Sequence, residues 1–397
     1  MKKYKLAILA SHPIQYQVPL FKKLANNSQI DLMVYFCSDY GIREKKDKEF
    51  GVSFKWDIPL LDGYKYKFLK NYGFKSNFPF LSQINLEIFK ELKKNKFSAI
   101  IVQSWMNITS WIVFLNRTPI FLRTESPFSH EPLKAKWKII LKNIILRYPF
   151  NKTKAFLFIG EENRRFYQSY GIPEDKLFFT PYAVDNERFL MNFNELKSKK
   201  NELKKELNIN SEKIVILFCG KLIDKKRPLD LLFAYEKIQF PNKCIIYVGD
   251  GYLRENIEIY TRKKNLQSVY LVGFKNQTEL SKYYVLGDIF VLPSGLGETW
   301  GLVVNEAMCF ELPIIVSDLV GCSSDILKHG QNGYIFPFGD IDKLAFYLED
   351  LVISKEKREK YGERSIDIIQ NYSYEKDIEG IINALEYISN DKLFKNQ

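Results

Sequence analysis

Glu298 and Glu306 stand eight residues apart, just after an apolar stretch, Ile289–Leu292, that reads as a strand. A loop, Pro293-Ser-Gly-Leu-Gly-Glu-Thr-Trp, joins that strand to a helix expected to begin near Gly301. A glycine-bearing loop feeding a helix N-terminus presents N–H groups without intrahelical acceptors and the positive end of the helix dipole, so it can hold a diphosphate without a metal. The expected donors are the backbone amides of Gly301, Leu302 and Val303, with Thr299 beside them. The spacing puts one carboxylate before the helix and the other about a turn into it. Beside a phosphate a carboxylate is repelled, unless it serves as acceptor for neutral hydroxyls such as those of a sugar or a ribose. On spacing alone the pair fits equally well a helix cap at Glu298 and a solvated Glu306.

A second constellation follows the strand Ile214–Cys219, in Gly220-Lys221-Leu-Ile-Asp-Lys-Lys226-Arg-Pro. Charge released on a departing phosphate needs fixed cations, because electrostatic stabilisation is the main catalytic contribution available without a metal. Lys221 and Lys226 are read as those cations, and Lys225 and Arg227 as solvated neighbours. Asp340-Ile-Asp342 spells a possible metal-binding DxD but opens a late helix, where N-terminal carboxylates are ordinary, so no metal or cofactor is assigned. No P-loop, nucleophile elbow or H-E-x-x-H run points to another enzyme class.

In the context PSGLGETWGLVVNEAMCFELPIIVSD, the Glu298–Glu306 pattern resembles the signature of glycosyltransferase family 4, the retaining transferases with a GT-B fold. The resemblance implies that Glu298 contacts hydroxyls of the transferred sugar, that Glu306 contacts the nucleotide ribose, and that Lys221 and Lys226 bind the donor diphosphate with Gly220. The family more often has arginine at the first of these two basic positions; lysine supplies a point charge rather than a fork. Val248-Gly-Asp-Gly251 resembles the donor-domain turn, and Phe274 falls where such enzymes contact the base. Pro181-Tyr-Ala-Val-Asp185 resembles a segment usually reading P-N-G-V-D, with Asp185 structural.

The first half departs from the family's habit. The usual Gly-Gly turn after the first strand is replaced by Ser11-His-Pro-Ile-Gln-Tyr16, a variant associated with a bacterial subset, and His12 is read there as a contact to donor phosphate or acceptor. Where relatives often carry a sugar-contacting histidine, this chain has Arg123-Thr-Glu-Ser126, leaving Arg123 and Glu125 as acceptor-side candidates. Residues 131–148 place Leu133, Trp137, Ile140, Leu141 and Ile144 on one helical face, with Lys134, Lys138 and Lys142 alongside. That pattern fits either a helix packed on a core or one lying on an anionic membrane.

These residues need a frame, and the apolar periodicity supplies it. Strands expected at Leu6–Ala10, Asp31–Phe36, Ala99–Gln103, Ile120–Arg123, Ala155–Ile159 and Leu177–Thr180 alternate with helical patterns, and the alternation restarts at Lys213–Cys219. The expected fold class is therefore α/β, two doubly wound Rossmann-like domains facing across a cleft, and the family resemblance implies that they are arranged as in GT-B. Expected boundaries are an acceptor-side domain over 1–190, a charged linker over 191–212, a nucleotide-sugar domain over 213–372, and a C-terminal helix over 373–397 returning to the first domain. Residues 40–80, irregular, aromatic and basic, read as an insertion or a flexible substrate-facing loop.

The length of 397 residues exceeds one comfortable core, in keeping with two domains. Five scattered cysteines without a C-x-x-C pair argue against a disulfide framework and for a reducing cytoplasm. The net charge of +12 lies wholly in residues 1–190, where 31 Lys and Arg face 17 Asp and Glu. Such asymmetry fits an anionic partner for that half, whether nucleic acid, an acidic membrane surface or a phosphorylated substrate, and equally a Lys- and Asn-rich composition. No nucleic-acid recognition module is present, and the expected location is the cytoplasm with a peripheral contact on the inner face of the cell membrane. The sequence as a whole is expected to move a sugar from a nucleotide sugar to a saccharide or lipid-linked saccharide. An epimerase-like GT-B enzyme acting on the 2-position of a nucleotide sugar, or a non-catalytic nucleotide-sugar-binding partner, are the alternatives.

Overall fold

A computed structural model describes residues 3–42, 45–46, 53–54, 56–74, 79–133 and 135–395. Its strands are β1 (Tyr4–Ala10), β2 (Ile30–Phe36), β3 (Lys45–Lys46), β4 (Ser53–Phe54), β5 (Tyr66–Phe68), β6 (Ala99–Val102), β7 (Ile120–Arg123), β8 (Thr153–Phe158), β9 (Leu177–Phe179), β10 (Ile214–Cys219), β11 (Lys243–Val248), β12 (Val269–Gly273), β13 (Ile289–Leu292), β14 (Ile314–Ser317) and β15 (Gly333–Phe336). The α-helices are α1 (Val18–Asn26), α2 (Glu87–Asn95), α3 (Ile108–Phe114), α4 (Lys136–Lys152), α5 (Glu161–Ser169), α6 (Asn186–Leu196), α7 (Lys200–Glu206), α8 (Pro228–Lys237), α9 (Arg254–Lys263), α10 (Gln277–Leu286), α11 (Leu302–Met308), α12 (Ser323–Ile326), α13 (Ile341–Ile353), α14 (Lys355–Ile369) and α15 (Tyr374–Lys395).

The chain divides into two compact units: unit 1 holds residues 1–43, 59–182 and 374–397, and unit 2 holds 44–58 and 183–373. Each is built on a parallel sheet. In unit 1 the strand order is β5-β2-β1-β6-β7-β8-β9, and in unit 2 it is β12-β11-β10-β13-β14-β15. Parallel strands covered by helices on both faces read as unbroken apolar runs, and Ala99–Val102, Ile289–Leu292 and Ile314–Ser317 are buried at every position. In both sheets the order reverses at one point, between β1 and β6 in unit 1 and between β10 and β13 in unit 2. Adjacent loops there leave the sheet in opposite directions, which opens a crevice at the carboxyl ends of the strands.

Three expectations change. Residues 191–212 are not a bare connector: α6 and α7 pack into unit 2, where Asn192 donates to Ser281 (2.9 Å) and Lys200 donates to the Gly287 carbonyl (2.6 Å) and to Asp288 (2.8 Å). The stretch 40–80 contributes the edge strand β5, paired in parallel with β2. Lys134 lies outside the described residues, and Lys142 is bound to Glu131 (2.9 Å), so among the described residues of the expected row of lysines at intervals of four, only Lys138 stands exposed. Among the described residues no helix is long and apolar enough to cross a membrane.

Candidate functional site

The reversal point of unit 2 brings the two sequence motifs together. Gly220 and Lys221 follow β10, the loop 293–301 follows β13, and β10 and β13 are neighbours. The first motif closes as a 3-10 turn over Asp224–Lys226, which returns the Lys226 side chain toward Gly220. There Lys226 Nζ meets Glu298 Oε2 at 2.5 Å, with both side chains almost fully withdrawn from solvent. Two groups read in the sequence as separate parts of a ligand site are thus each other's partner. Burial alone drives the Glu298 carboxyl up, but the charges of Lys226 and Lys225 outweigh it, so the net displacement is downward and the carboxylate stays ionised.

Main-chain bonds from both sides fix the loop. Gly295 N donates to Lys225 O (2.9 Å), Gly321 N to Glu298 O (3.0 Å) and Cys322 N to Trp300 O (3.0 Å). Inside it, the buried Trp300 Nε1 donates to Asn305 Oδ1 (2.8 Å), tying the loop to the helix it feeds. Gly301 caps α11 in the left-handed region at φ 98°, so the helix begins at Leu302 with Val303 next. The first turn therefore points N–H groups that lack intrahelical acceptors toward the carboxyl edge of the sheet. Behind Gly220 the wall is backbone: a Cβ on Gly249 would lie 1.9 Å from the Gly220 carbonyl oxygen, and Gly249 N donates to Gly273 O (2.9 Å). Three consecutive strand ends are drawn together in this way, with the half-buried Phe274 beyond them.

Glu306 is neither solvated nor a cap. It is buried on α11 and accepts from the Tyr284 hydroxyl of α10 (2.6 Å). Burial raises its carboxyl to about 7, against the hydrogen bond from Tyr284 and the more distant positive charge of Arg188. Tyr284 and Arg188 were not singled out in the sequence: both sit in patterns that look like ordinary amphipathic helix. Arg227, read as solvated, instead pairs with the buried Asp230 (2.8 Å), while Lys225 is exposed. Asp340 caps α13 by accepting from Lys343 N (2.8 Å), and Asp185 caps α6 by accepting from Arg188 N (3.2 Å).

Unit 1 carries its candidates on loops at the carboxyl edge of its own sheet. His12 follows β1, Nδ1 lies 2.9 Å from Ser11 Oγ, and the ring meets Tyr40 edge-on at 5.0 Å. Glu125, after β7, accepts from the Tyr182 hydroxyl, which lies 3.2 Å from the Tyr16 hydroxyl. The hydrogen bond from Tyr182 therefore gives Glu125 a fixed orientation. Arg123 gives way as an acceptor contact: its guanidinium is bound to Asp377 of α15 (2.7 Å) and donates to the carbonyls of Thr180 and Pro181 (3.2 and 3.3 Å). It is a joint for the C-terminal helix.

Comparison with known proteins gives this arrangement its relatives. Residues 199–367 match the family described as "Glycosyl transferases group 1". "Spore coat protein SA" of Bacillus subtilis is 30% identical over 49% of this chain and 54% of its own length, so the chain spans about half of that relative. An "Uncharacterized 41.2 kDa protein in cps region" of Klebsiella pneumoniae is 25% identical over 75% of this chain and 83% of its own. Among solved structures, Anabaena HepE in complex with UDP and glucose superposes with a TM-score of 0.72 at 14% identity, covering 96% of this chain and 99% of that one. The fold is GT-B, two parallel-sheet Rossmann-like domains.

Proposed function

We propose that the chain is a retaining, metal-independent glycosyltransferase that moves a sugar from a nucleotide-sugar donor to a saccharide or lipid-linked saccharide in cell-surface glycan synthesis. The observation that carries the reading is the pair between Lys226 and the buried Glu298 at the reversal point of unit 2, beside the α11 N-terminus. The match of residues 199–367 and the UDP and glucose held by the HepE structure support the donor class.

The chemistry follows from charge. As the glycosidic bond to the donor breaks, negative charge gathers on the departing diphosphate, and cations already fixed in a water-poor pocket stabilise it without reorganising. Lys226 and Lys221 supply the cations, and the amides of Gly301, Leu302 and Val303 add the helix terminus. Before donor arrives, Glu298 holds the Lys226 side chain aimed. Once the diphosphate takes over that ammonium, Glu298 is left to accept from hydroxyls of the transferred sugar, and Glu306 bonds a ribose hydroxyl. The departing phosphate oxygen, on the face from which the acceptor hydroxyl attacks, takes its proton; attack and departure on one face retain the configuration. Glu125 and His12 are the acceptor-side candidates of unit 1.

Screening nucleotide sugars by thermal shift identifies the donor, because a ligand of the native state raises the melting temperature. Lys226→Ala and Glu306→Ala then lose that shift, and Lys226→Ala lowers transfer by roughly 10²–10³-fold, the usual loss for one stabilising group. Full transfer in both variants would sink the site. Donor incubated without acceptor stays unchanged; appearance of its 2-epimer would move the chain to a different GT-B chemistry.

A further inference from the structure

Helix α4 has two apolar faces, and the fold covers one. On the inner side Leu146 and Phe150 enter the unit 1 core beside Phe156 and Phe166. On the other side Trp137, Ile140, Leu141, Ile144, Ile145 and Tyr148 all stand in solvent, with Trp137 63%, Ile140 59% and Ile144 60% exposed. At about 100° per residue the six share one arc of roughly 140°. Cations line both of its edges, Lys138 on one and Lys136 with Arg147 on the other, and α4 contains no acidic residue. The Tyr148 ring stacks on Trp111 of α3 at 6.3 Å, which extends the surface beyond the helix. Single exposed apolar side chains are ordinary, but a contiguous stripe of this kind marks a surface with a partner.

We propose that this face of α4 docks on an anionic lipid surface, with the helix lying in the plane of the bilayer. Charge decides between lipid and a second copy of the chain. Two-fold pairing would set Lys136, Lys138 and Arg147 against their own copies with no carboxylate of α4 to answer them, whereas anionic headgroups answer all three. An apolar stripe bearing Trp and Tyr between rows of cations is the arrangement that settles at a bilayer interface. The docking needs no donor and no turnover, so it stands or falls separately from the transfer reaction.

The test sediments the whole chain with vesicles of phosphatidylcholine alone and of phosphatidylcholine mixed with phosphatidylglycerol. The expected result is binding to the mixed vesicles only, weakened by salt as the headgroup charge is screened. Ile140→Ser with Ile144→Ser abolishes binding while the melting temperature and any donor-induced shift stay put, since both side chains are exposed. Lys138→Gln with Arg147→Gln weakens binding on the order of 30-fold, at about 1 kcal/mol per cation near a charged surface. Equal binding to both vesicle types, or undiminished binding by the isoleucine double variant, overturns the proposal. So does a wild-type dimer that ignores vesicles and becomes monomeric in that variant, which would assign the face to a second copy.

Discussion

Glu306 titrates near neutrality because burial lifts its carboxyl from 4.5 to about 7. Between those values the folded state keeps a proton that the unfolded chain has released, so this residue's contribution to stability falls as pH rises from 4.5 and levels off above about 7. Glu306→Gln should flatten that part of the curve, which urea denaturation across the range measures; an unchanged slope would mean the carboxyl is not the titrating group. A second residue, Tyr182, orients Glu125. Tyr182→Phe should raise the KM for acceptor several-fold while the donor-induced thermal shift is unaffected; a loss of the donor shift instead would place Tyr182 outside the acceptor side. Candidate site residues stand out in the sequence where each belongs to one short motif, as Glu298 and Lys226 do. Their partners do not. Tyr284 reaches Glu306 from another helix, and Asp377 answers Arg123 from 254 positions further along, a pairing that no local spacing encodes.

Among elements, the strands were the most readable, since a parallel strand buried on both faces leaves an apolar run bounded by polar loops. The edge strand β5 escaped because Tyr-Lys-Phe is short, aromatic and only partly buried, with nothing apolar to repeat. Helix α4 was found, but not its orientation: a helix apolar on two sides does not say which one the core takes. The turns after β10 and β11 were visible as glycines, yet what they are for is a matter of distance. At Gly249 a Cβ would press on the Gly220 carbonyl at 1.9 Å, and φ is 139°, where other residues are strained. Gly249→Ala should therefore cost about 3 kcal/mol or more, as overpacking and strain combine. It should also weaken donor binding by displacing Gly220 and Lys221. Wild-type melting temperature with undiminished donor shift would show that the wall can yield.

At the scale of the molecule, the final helix belongs to the unit in which the chain began. Helix α15 packs on α1, β8 and β9, and its Asp377 lies almost wholly buried against Arg123. Burial raises the Asp377 carboxyl to about 6, with the charge of and hydrogen bond from Arg123 opposing the rise. Asp377→Ala strands a buried guanidinium and should destabilise unit 1 by about 3–5 kcal/mol; a melt in which neither transition moves would contradict that. The covalent path sets an order of events. All of 183–373 lies between β9 and α15, so a ribosome finishes the second unit before the first can close. At about 5–20 residues per second that delay is roughly 10–40 s. During it, the nascent first unit shows β8, β9 and an arginine without its carboxylate to whatever chaperone or protease is near. Nascent chains stalled at residue 373 should be cut by protease within 1–182 and spared within 183–373, and the difference should vanish once α15 has emerged.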